Sequence, residues 1–393
     1  MATYCETLDR LFALHRFGEK LDLTNARTLD ARLGRPLGAY RSVIIGGTNG
    51  KGSTSAFLDA VLRARGLRVG LYTSPHLMSF RERIRVDGED IDEATVTATA
   101  PRVIELCDEI GGSFFEASWA LAARIFADAK VDVVVWEVGL GGRLDATNAC
   151  DPEVSAVVSV GLDHMNVLGA TVPAIAAEKA AIYRPGRPAL TTAGADALPT
   201  LRRFAPQLEV IEARAGLPPL PLPGAHQRRN ASLALAMAEA MGHPGPATDL
   251  LGVRWPGRAE RIGDVVIDCA HNPHGATALA AWIDEAGLGP LHVVFGAMAD
   301  KAVDEVAAIL APRAASVALV TPDYRRRLLA EDAARCFAGH PAVEVVGPVA
   351  AALDRRPRDR VTLVAGSCFL AGEARAHLLG VAYPECGIRT LAR

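Results

Sequence analysis

Residues 43–54 read Val43-Ile44-Ile45-Gly46-Gly47-Thr48-Asn49-Gly50-Lys51-Gly52-Ser53-Thr54: an apolar run, a glycine-rich turn and a candidate helix start. Glycines let successive backbone N–H groups converge on phosphate oxygens, and a helix N-terminus adds partial positive charge. Lys51 is placed to reach terminal phosphates, so an ATP-type phosphate site is expected here. The pattern departs from GxxxxGK[ST]: Ile45 stands where the first glycine would be, and Gly52 separates Lys51 from Ser53. The competing reading is a plain strand-to-helix turn, and the density of glycines around a lysine weighs against it.

A second set of residues could bind metal. Ser74 follows an apolar run ending at Thr73, Glu137 ends Val133-Val134-Val135-Trp136, and Asp163 and His164 follow a run ending at Val160. A carboxylate at the end of so apolar a run is costly without a partner. Hydroxyl and carboxylate oxygens are hard ligands suited to Mg²⁺, which ATP chemistry needs. His164 alone reads as a hydrogen-bonded core histidine; its company changes that reading.

For these groups to meet, the runs that carry them must be neighbouring strands. Short β-branched runs alternate with helical patterns throughout, the signature of βαβ units and a parallel sheet, in which ligands bind beyond the carboxyl ends of the strands. Strands are predicted at 42–45, 68–73, 131–138, 154–160, 265–268, 292–295, 317–321, 343–346 and 361–365, with a helix over Ser53–Arg65. Proline-rich stretches break the pattern at 216–224 and 242–257. The second puts a domain boundary near 252–257, giving domains 1–254 and 255–393.

Composition bounds the rest. Of 393 residues, 50% are hydrophobic and 22% charged, which excludes disordered and fibrous classes. A net charge of −3 argues against nonspecific binding to nucleic acid or an anionic membrane. No apolar stretch approaches the roughly 18 residues needed to span a bilayer. Met1–Glu6 lacks a basic, apolar leader, so no signal peptide is expected. Seven cysteines without CxxC pairing suit a reducing cytoplasm better than a disulfide framework. The expectation is a cytoplasmic monomer with no nucleic-acid or membrane partner.

Longer motifs carry a resemblance. The 47–54 loop, Thr73-Ser74-Pro75-His76-Leu77, Phe80-Arg81-Glu82-Arg83-Ile84 and the block from Glu137 to Asn148 come first in order. Asp163-His164, Glu178-Lys179-Ala180, His226-Gln227 with Asn230, and Pro256-Gly257-Arg258 with Glu260 follow. Asp268 with Ala270-His271-Asn272-Pro273-His274, Asp300-Lys301 and Gly366-Ser367 complete the series. This series resembles the folylpolyglutamate synthase/dihydrofolate synthase family, the folate branch of the Mur ligase superfamily, over nearly the whole chain. The 137–148 and 74–84 blocks point to the folate branch rather than the muramyl peptide ligases.

The resemblance implies an α/β chain of Mur ligase architecture: a P-loop-type parallel-sheet ATP-binding domain, then a smaller Rossmann-like domain. It implies that Ser74, Glu137 and His164 bind Mg²⁺, and that Lys179 is carbamoylated to help hold a second ion. Without it, Lys179 reads as a helix-surface lysine. By the same route Asn49, Gly50, Lys51, Gly52 and Ser53 grip the ATP phosphates, Asn230, Arg258 and Asp268 hold the rest of the nucleotide, and His271 lies near incoming L-glutamate. Lys20-Leu21-Asp22, Phe115-Glu116 and Leu144-Asp145-Ala146 surround the pterin of a folate or dihydropteroate substrate. Lys51, Lys179 and His271 are the expected catalytic groups. The chain departs from the family at Trp119, where threonine is common, at Cys269, where glycine is usual, and at Ala302, where an acid is usual. The implied reaction is ATP-dependent addition of glutamate through an acyl phosphate. The rivals are a peptidoglycan-type ligase and a non-catalytic nucleotide-binding module.

Overall fold

A computed structural model describes residues 2–14, 22–324 and 326–383. Among the described residues, fourteen strands lie in two sheets. The first holds β1 (Arg41–Gly46), β2 (Val69–Tyr72), β3 (Ile84–Val86), β4 (Glu89–Asp90), β5 (Val133–Glu137), β6 (Val154–Val157), β7 (Ala189–Thr191) and β8 (Glu209–Val210). Their order is β4-β3-β2-β5-β1-β6-β7-β8. The second holds β9 (Glu260–Ile262), β10 (Val265–Ile267), β11 (Leu291–Phe295), β12 (Ala314–Leu319), β13 (Val343–Val345) and β14 (Thr362–Ala365). Their order is β13-β12-β11-β14-β10-β9.

The nine predicted strands are all present, each within a few residues of its expected ends, and the predicted helix runs Lys51–Ala64. The sheets are not purely parallel: β3 runs antiparallel to β2 and β4, and β9 antiparallel to β10. These strands, with the short β7 and the edge strand β8, lacked a hydrophobic run long enough to be read. Their place is set by pairing rather than by composition.

Strand β5 explains why the first sheet needs cover on both faces. Val133 and Val135 join one buried cluster with Val43 and Ile45, under helices Lys51–Ala64 and Ala225–Ala240. Val134 and Trp136 join the other with Ile44, under helices Tyr4–Ala13, Glu93–Ile110 and Phe114–Asp128. Alternation of side chains along a strand buried on both sides gives this pattern. The second sheet is covered likewise by two separate clusters. Trp119, at a departure from the family pattern, is fully buried against Trp136 with ring centroids 6.2 Å apart, so it fills core rather than a pocket.

No helix among the described residues is long and apolar enough to cross a membrane. Among the described residues Cys107, Cys150, Cys269, Cys336 and Cys368 are free thiols, and Cys5 is disulfide-bonded. Lys20 and Leu21 lie outside the described residues.

Candidate active site

The central strands β2, β5, β1 and β6 are adjacent, and their carboxyl ends deliver Ser74, Glu137, the 47–52 loop and, past β6, Asp163 to one edge. The loop is held in shape by the chain after β6. Thr48 N–H donates to the Ser159 carbonyl at 2.8 Å, and Asn49 N–H to Ser159 Oγ at 3.0 Å. Gly50, in the left-handed region at φ 83°, starts the helix Lys51–Ala64. A side chain there would strike Asn230 Oδ1 and Val158 at 2.8 Å, which is why glycine is required. Gln227 ties the Lys51–Ala64 helix to Ala225–Ala240: its Nε2 donates to Ser53 Oγ at 3.2 Å, and its Oε1 accepts from Asn230 at 2.9 Å.

Two lysines converge on one carbonyl. Lys51 Nζ and Lys179 Nζ each donate to the Gly47 carbonyl at 3.1 Å. Lys179 is only 4% exposed. Burial, reinforced by the Lys51 charge, brings its pKa down to about 7. It therefore does not lie on a helix surface, as the sequence without the family would place it. Beside them sits Glu137, 5% exposed, whose Oε2 accepts from Ser74 N–H at 3.1 Å. Burial raises its pKa, opposed mainly by Lys51. Arg143, six residues further along the chain, pairs not with Glu137 but with Glu178 at 2.9 Å.

Opposite lies a network that the sequence set out only in fragments. Asp163 Oδ1 accepts from Lys301 Nζ at 2.8 Å, and Oδ2 accepts from Asn272 Nδ2 at 2.9 Å and faces His271 Nε2 at 3.7 Å. Burial acts to raise the Asp163 pKa, but His271 and Lys301 hold it well below the usual carboxylate range. Burial lowers His271, yet Asp163 and the Cys368 thiol outweigh it and raise the ring to about 9. His164 is brought to Lys301, its Nε2 at 3.3 Å from Nζ, and burial with Lys301 pushes it down to about 4. Asn272 and Asn49 exchange two hydrogen bonds of 3.1 Å, one in each direction, joining the 47–52 loop to the second sheet. Asn272 also caps helix Pro273–Glu285 through Gly275 N–H at 2.8 Å. Asn272 and Lys301 stood only in the motif series and were given no role there, and Asp163, a metal candidate at a strand end, serves here as the hub of a hydrogen-bond network.

Arg258 and Asp268 lie on the second-sheet side. Arg258 Nη1 donates to the Gly257 carbonyl at 3.0 Å; Asp268 accepts from Ala259 and Ala270 N–H, both at 2.8 Å. Between the two sheets opens a cavity of about 500 Å³. Phe12, Phe114 and the stacked pair Tyr324–Phe369, 3.8 Å between centroids, give it aromatic walls, and Arg83 and Lys301 give it positive charge.

The remaining expected substrate residues have mixed surroundings. Phe115 packs edge-on to Tyr72 at 6.2 Å. Glu116 accepts from Ser113 N–H and Oγ, both at 2.7 Å, in a capping box. Asp22 Oδ1 accepts from Thr24 N–H at 2.7 Å. Leu144 is exposed and Ala146 buried. The Asp145 carboxylate is occupied inside its own loop, accepting from Gly139, Leu140 and Thr147 N–H and from Thr147 Oγ1.

For a divalent cation, no group of three or more His, Cys, Asp or Glu side chains stands ready among the described residues. The available donors are the Ser74 hydroxyl, Glu137, His164 and Lys179. A buried carboxylate with a raised pKa, bonded to one N–H, fits a cation site in which part of the anionic charge is brought by the nucleotide.

A glycine-rich loop at the edge of one sheet, facing a second α/β sheet, matches the Mur ligase architecture. The sequence family described as "Mur ligase, glutamate ligase domain" matches residues 257–368. Folylpolyglutamate synthase of Lacticaseibacillus casei is 33% identical, over 96% of this chain and 99% of that protein. A Yersinia pestis bifunctional folylpolyglutamate synthase/dihydrofolate synthase, solved with AMPPNP and a Mn ion, superposes with TM-score 0.88 at 29% identity, covering 96% of this chain and 98% of that one. A Haloferax volcanii protein named "Probable bifunctional folylpolyglutamate synthase/dihydropteroate synthase" is 39% identical over 95% of this chain, which spans 50% of its length. The chain belongs to the folylpolyglutamate synthase/dihydrofolate synthase family.

Proposed function

We propose that this chain ligates L-glutamate to the carboxylate of a folate or dihydropteroate substrate at the expense of ATP. The observation that carries the reading is the convergence of Lys51 and Lys179 on the Gly47 carbonyl beside buried Glu137, across a cleft from His271 and Asp163. The aromatic, cationic cavity between the sheets suits a flat ring system bearing a carboxylate tail.

A carboxylate is a poor electrophile. Its oxygen attacks the γ-phosphorus of ATP, the bond to the β-phosphate oxygen breaks, and an acyl phosphate and ADP result. The glutamate amine then attacks the acyl carbon, and the tetrahedral intermediate expels phosphate. Protein groups act mainly by position and charge. The loop N–H groups and Lys51 hold the phosphates, Asn230 braces the loop, and Arg258 and Asp268 meet the nucleotide from residues 255–393. His271, held by Asp163, faces the incoming amino acid. Ser74, Glu137, His164 and a carbamoylated Lys179 would hold two Mg²⁺ ions, which when bound neutralise charge on the transferring phosphoryl group. The relative solved with AMPPNP and Mn supports a nucleotide with a divalent ion. Asp22, Phe115, Glu116, Leu144, Asp145 and Ala146 line the pterin side, Glu116 and Asp145 by shaping the backbone around it.

On this reading residues 1–254 bind ATP and pterin, and residues 255–393 close over the nucleotide, the Asn49–Asn272 pair marking the seam. The protein acts as a monomer in the cytoplasm, without nucleic-acid or membrane partners. Release of ADP that requires both L-glutamate and a reduced folate or dihydropteroate tests the reading. ADP release indifferent to both would leave only a nucleotide-binding module, and stimulation by a UDP-sugar peptide instead would move the chain to the peptidoglycan branch.

A further inference from the structure

Two thiols lie together behind the cavity between the sheets, only Cys368 opening on it, and neither is used in the reaction above. Strands β10 and β14 run side by side, Ile267 opposite Val364, and the chains beyond them stay joined by Gly366 N–H donating to the Ala270 carbonyl at 2.9 Å. Cys269 leaves β10 and Cys368 follows β14, and both pack into one apolar cluster with Leu370 and Ala371. Both are free thiols, polar neighbours of one another. They differ in access: Cys269 is 4% exposed, whereas Cys368 opens on the 500 Å³ cavity beside His271.

Their surroundings also differ in a way that assigns roles. Cys368 is the first residue of the helix Cys368–Leu379, where the helix N-terminus favours negative charge. The neighbouring Cys269 thiol, and then His271 and Arg258, hold Cys368 below the ordinary thiol range, while Cys269 is pushed above it. A partly open thiol in positive surroundings is the reactive kind, and a buried thiol at its side is placed to resolve what forms on it.

We propose that Cys368 and Cys269 form an oxidation-sensitive dithiol in the cleft, which a hydroperoxide converts to a disulfide that stops turnover. The Cys368 thiolate attacks the peroxide: an S–O bond forms, the O–O bond breaks, and the departing alkoxide or hydroxide takes a proton, leaving Cys368 as a sulfenic acid. The Cys269 sulfur then attacks the Cys368 sulfur; an S–S bond forms, the S–O bond breaks, and the hydroxyl leaves as water with the Cys269 proton. One hydroperoxide is reduced by two electrons per disulfide. The bridge pins the segment carrying Asp268 and His271 to the start of helix Cys368–Leu379, so the groups at the closing face of the cleft lose their freedom to adjust. The inference goes beyond the ligase reading, and its chemical step stands apart from it.

The test is made on the full chain. Reduced protein is treated with hydrogen peroxide, blocked with iodoacetamide without prior reduction, digested and mapped by mass. A peptide pair joined through Cys269 and Cys368 is expected, with Cys107 and Cys150 still alkylated after unfolding. Glutamate-dependent ADP release should fall at least tenfold in step with the bridge and return with dithiothreitol. Cys269→Ala should keep basal turnover, form no bridge and leave Cys368 trappable by dimedone. Absence of the joined pair while other thiols are oxidised would overturn the proposal. So would undiminished turnover in bridged protein, or a dithiothreitol-reversible loss in Cys269→Ala matching the parent. If Cys269→Ala does not fold, the map of the parent protein decides alone. Failure of the ligase reading would be seen separately, as no turnover before peroxide.

Discussion

Replacing Lys179 by methionine should make the protein more stable and inactive. The amine is 4% exposed and its pKa falls from 10.5 to about 7, mainly through burial. That difference of about 3.5 units corresponds to about 5 kcal/mol of penalty for the charged form at or below pH 7. Losing the bond to the Gly47 carbonyl returns about 1–2 kcal/mol, so a net gain of roughly 3 kcal/mol is expected at pH 6.5 from a side chain of similar volume. The sign is fixed by proton counting. Between pH 7 and 10.5 the unfolded chain binds more protons at this site, so parent stability rises with pH there, and the mutant's advantage shrinks over the same window. Urea unfolding at pH 6.5 and 9.5 in CO₂-free buffer measures it. The same shift prepares the amine for CO₂: at pH 7.5 roughly three quarters is neutral, against about one part in a thousand for an ordinary lysine. ¹³C-bicarbonate should therefore give a carbamate carbon in the parent. Lys179→Ala should be rescued in part by acetate and not by alkylamines. Rescue by amines alone, with an unmodified lysine by intact mass under CO₂, would refute the carbamate; a mutant no more stable at pH 6.5 would refute the buried charge.

The other predictions follow from the same geometry. Lys51→Ala should cost about 3–4 kcal/mol of transition-state stabilisation, on the order of 10²–10³ in turnover, with the melting temperature unchanged, since its contacts are within the loop; near-normal steady-state rates would contradict the phosphate assignment. Glu137→Ala and His164→Ala should each raise the Mg²⁺ concentration needed for half-maximal rate or abolish turnover; a normal Mg²⁺ titration in folded but less stable mutants would make both residues structural. Asp145→Ala strands three N–H groups and a hydroxyl in the 139–147 loop and should lower stability by about 2–4 kcal/mol in thermal unfolding; an unchanged melting point would show that the loop does not depend on this carboxylate.

How much of this could be read from the sequence depended on how local the signal was. Val133–Trp136 and Val43–Ile45 announce themselves because a strand buried on both faces is continuously apolar. The turn at Gly47–Gly52 shows itself because φ above zero and close packing against Asn230 leave glycine little competition. By contrast β3, β4 and β9 hold only two or three residues each and exist because a neighbour offers hydrogen bonds. Lys179 sits in a run of alanines that looks the same on a surface as in a core, and only the family resemblance marked it. Asp163 stood beside His164 at a strand end, but its value as a hub depends on Lys301, Asn272 and His271, more than 100 residues away, and no local pattern reports such a meeting. Asp145 and Glu116 were read as substrate groups; their carboxylates bond mainly to nearby backbone and hydroxyl groups.

The central claim is that ATP drives the joining of L-glutamate to a pteroyl carboxylate. Its most direct test is incorporation of labelled L-glutamate, with dihydropteroate and tetrahydrofolate offered in parallel. The account predicts ATP-dependent product, one phosphate and one ADP per bond, with at least one of the two acceptors. ATP hydrolysis with no label in either acceptor would contradict it.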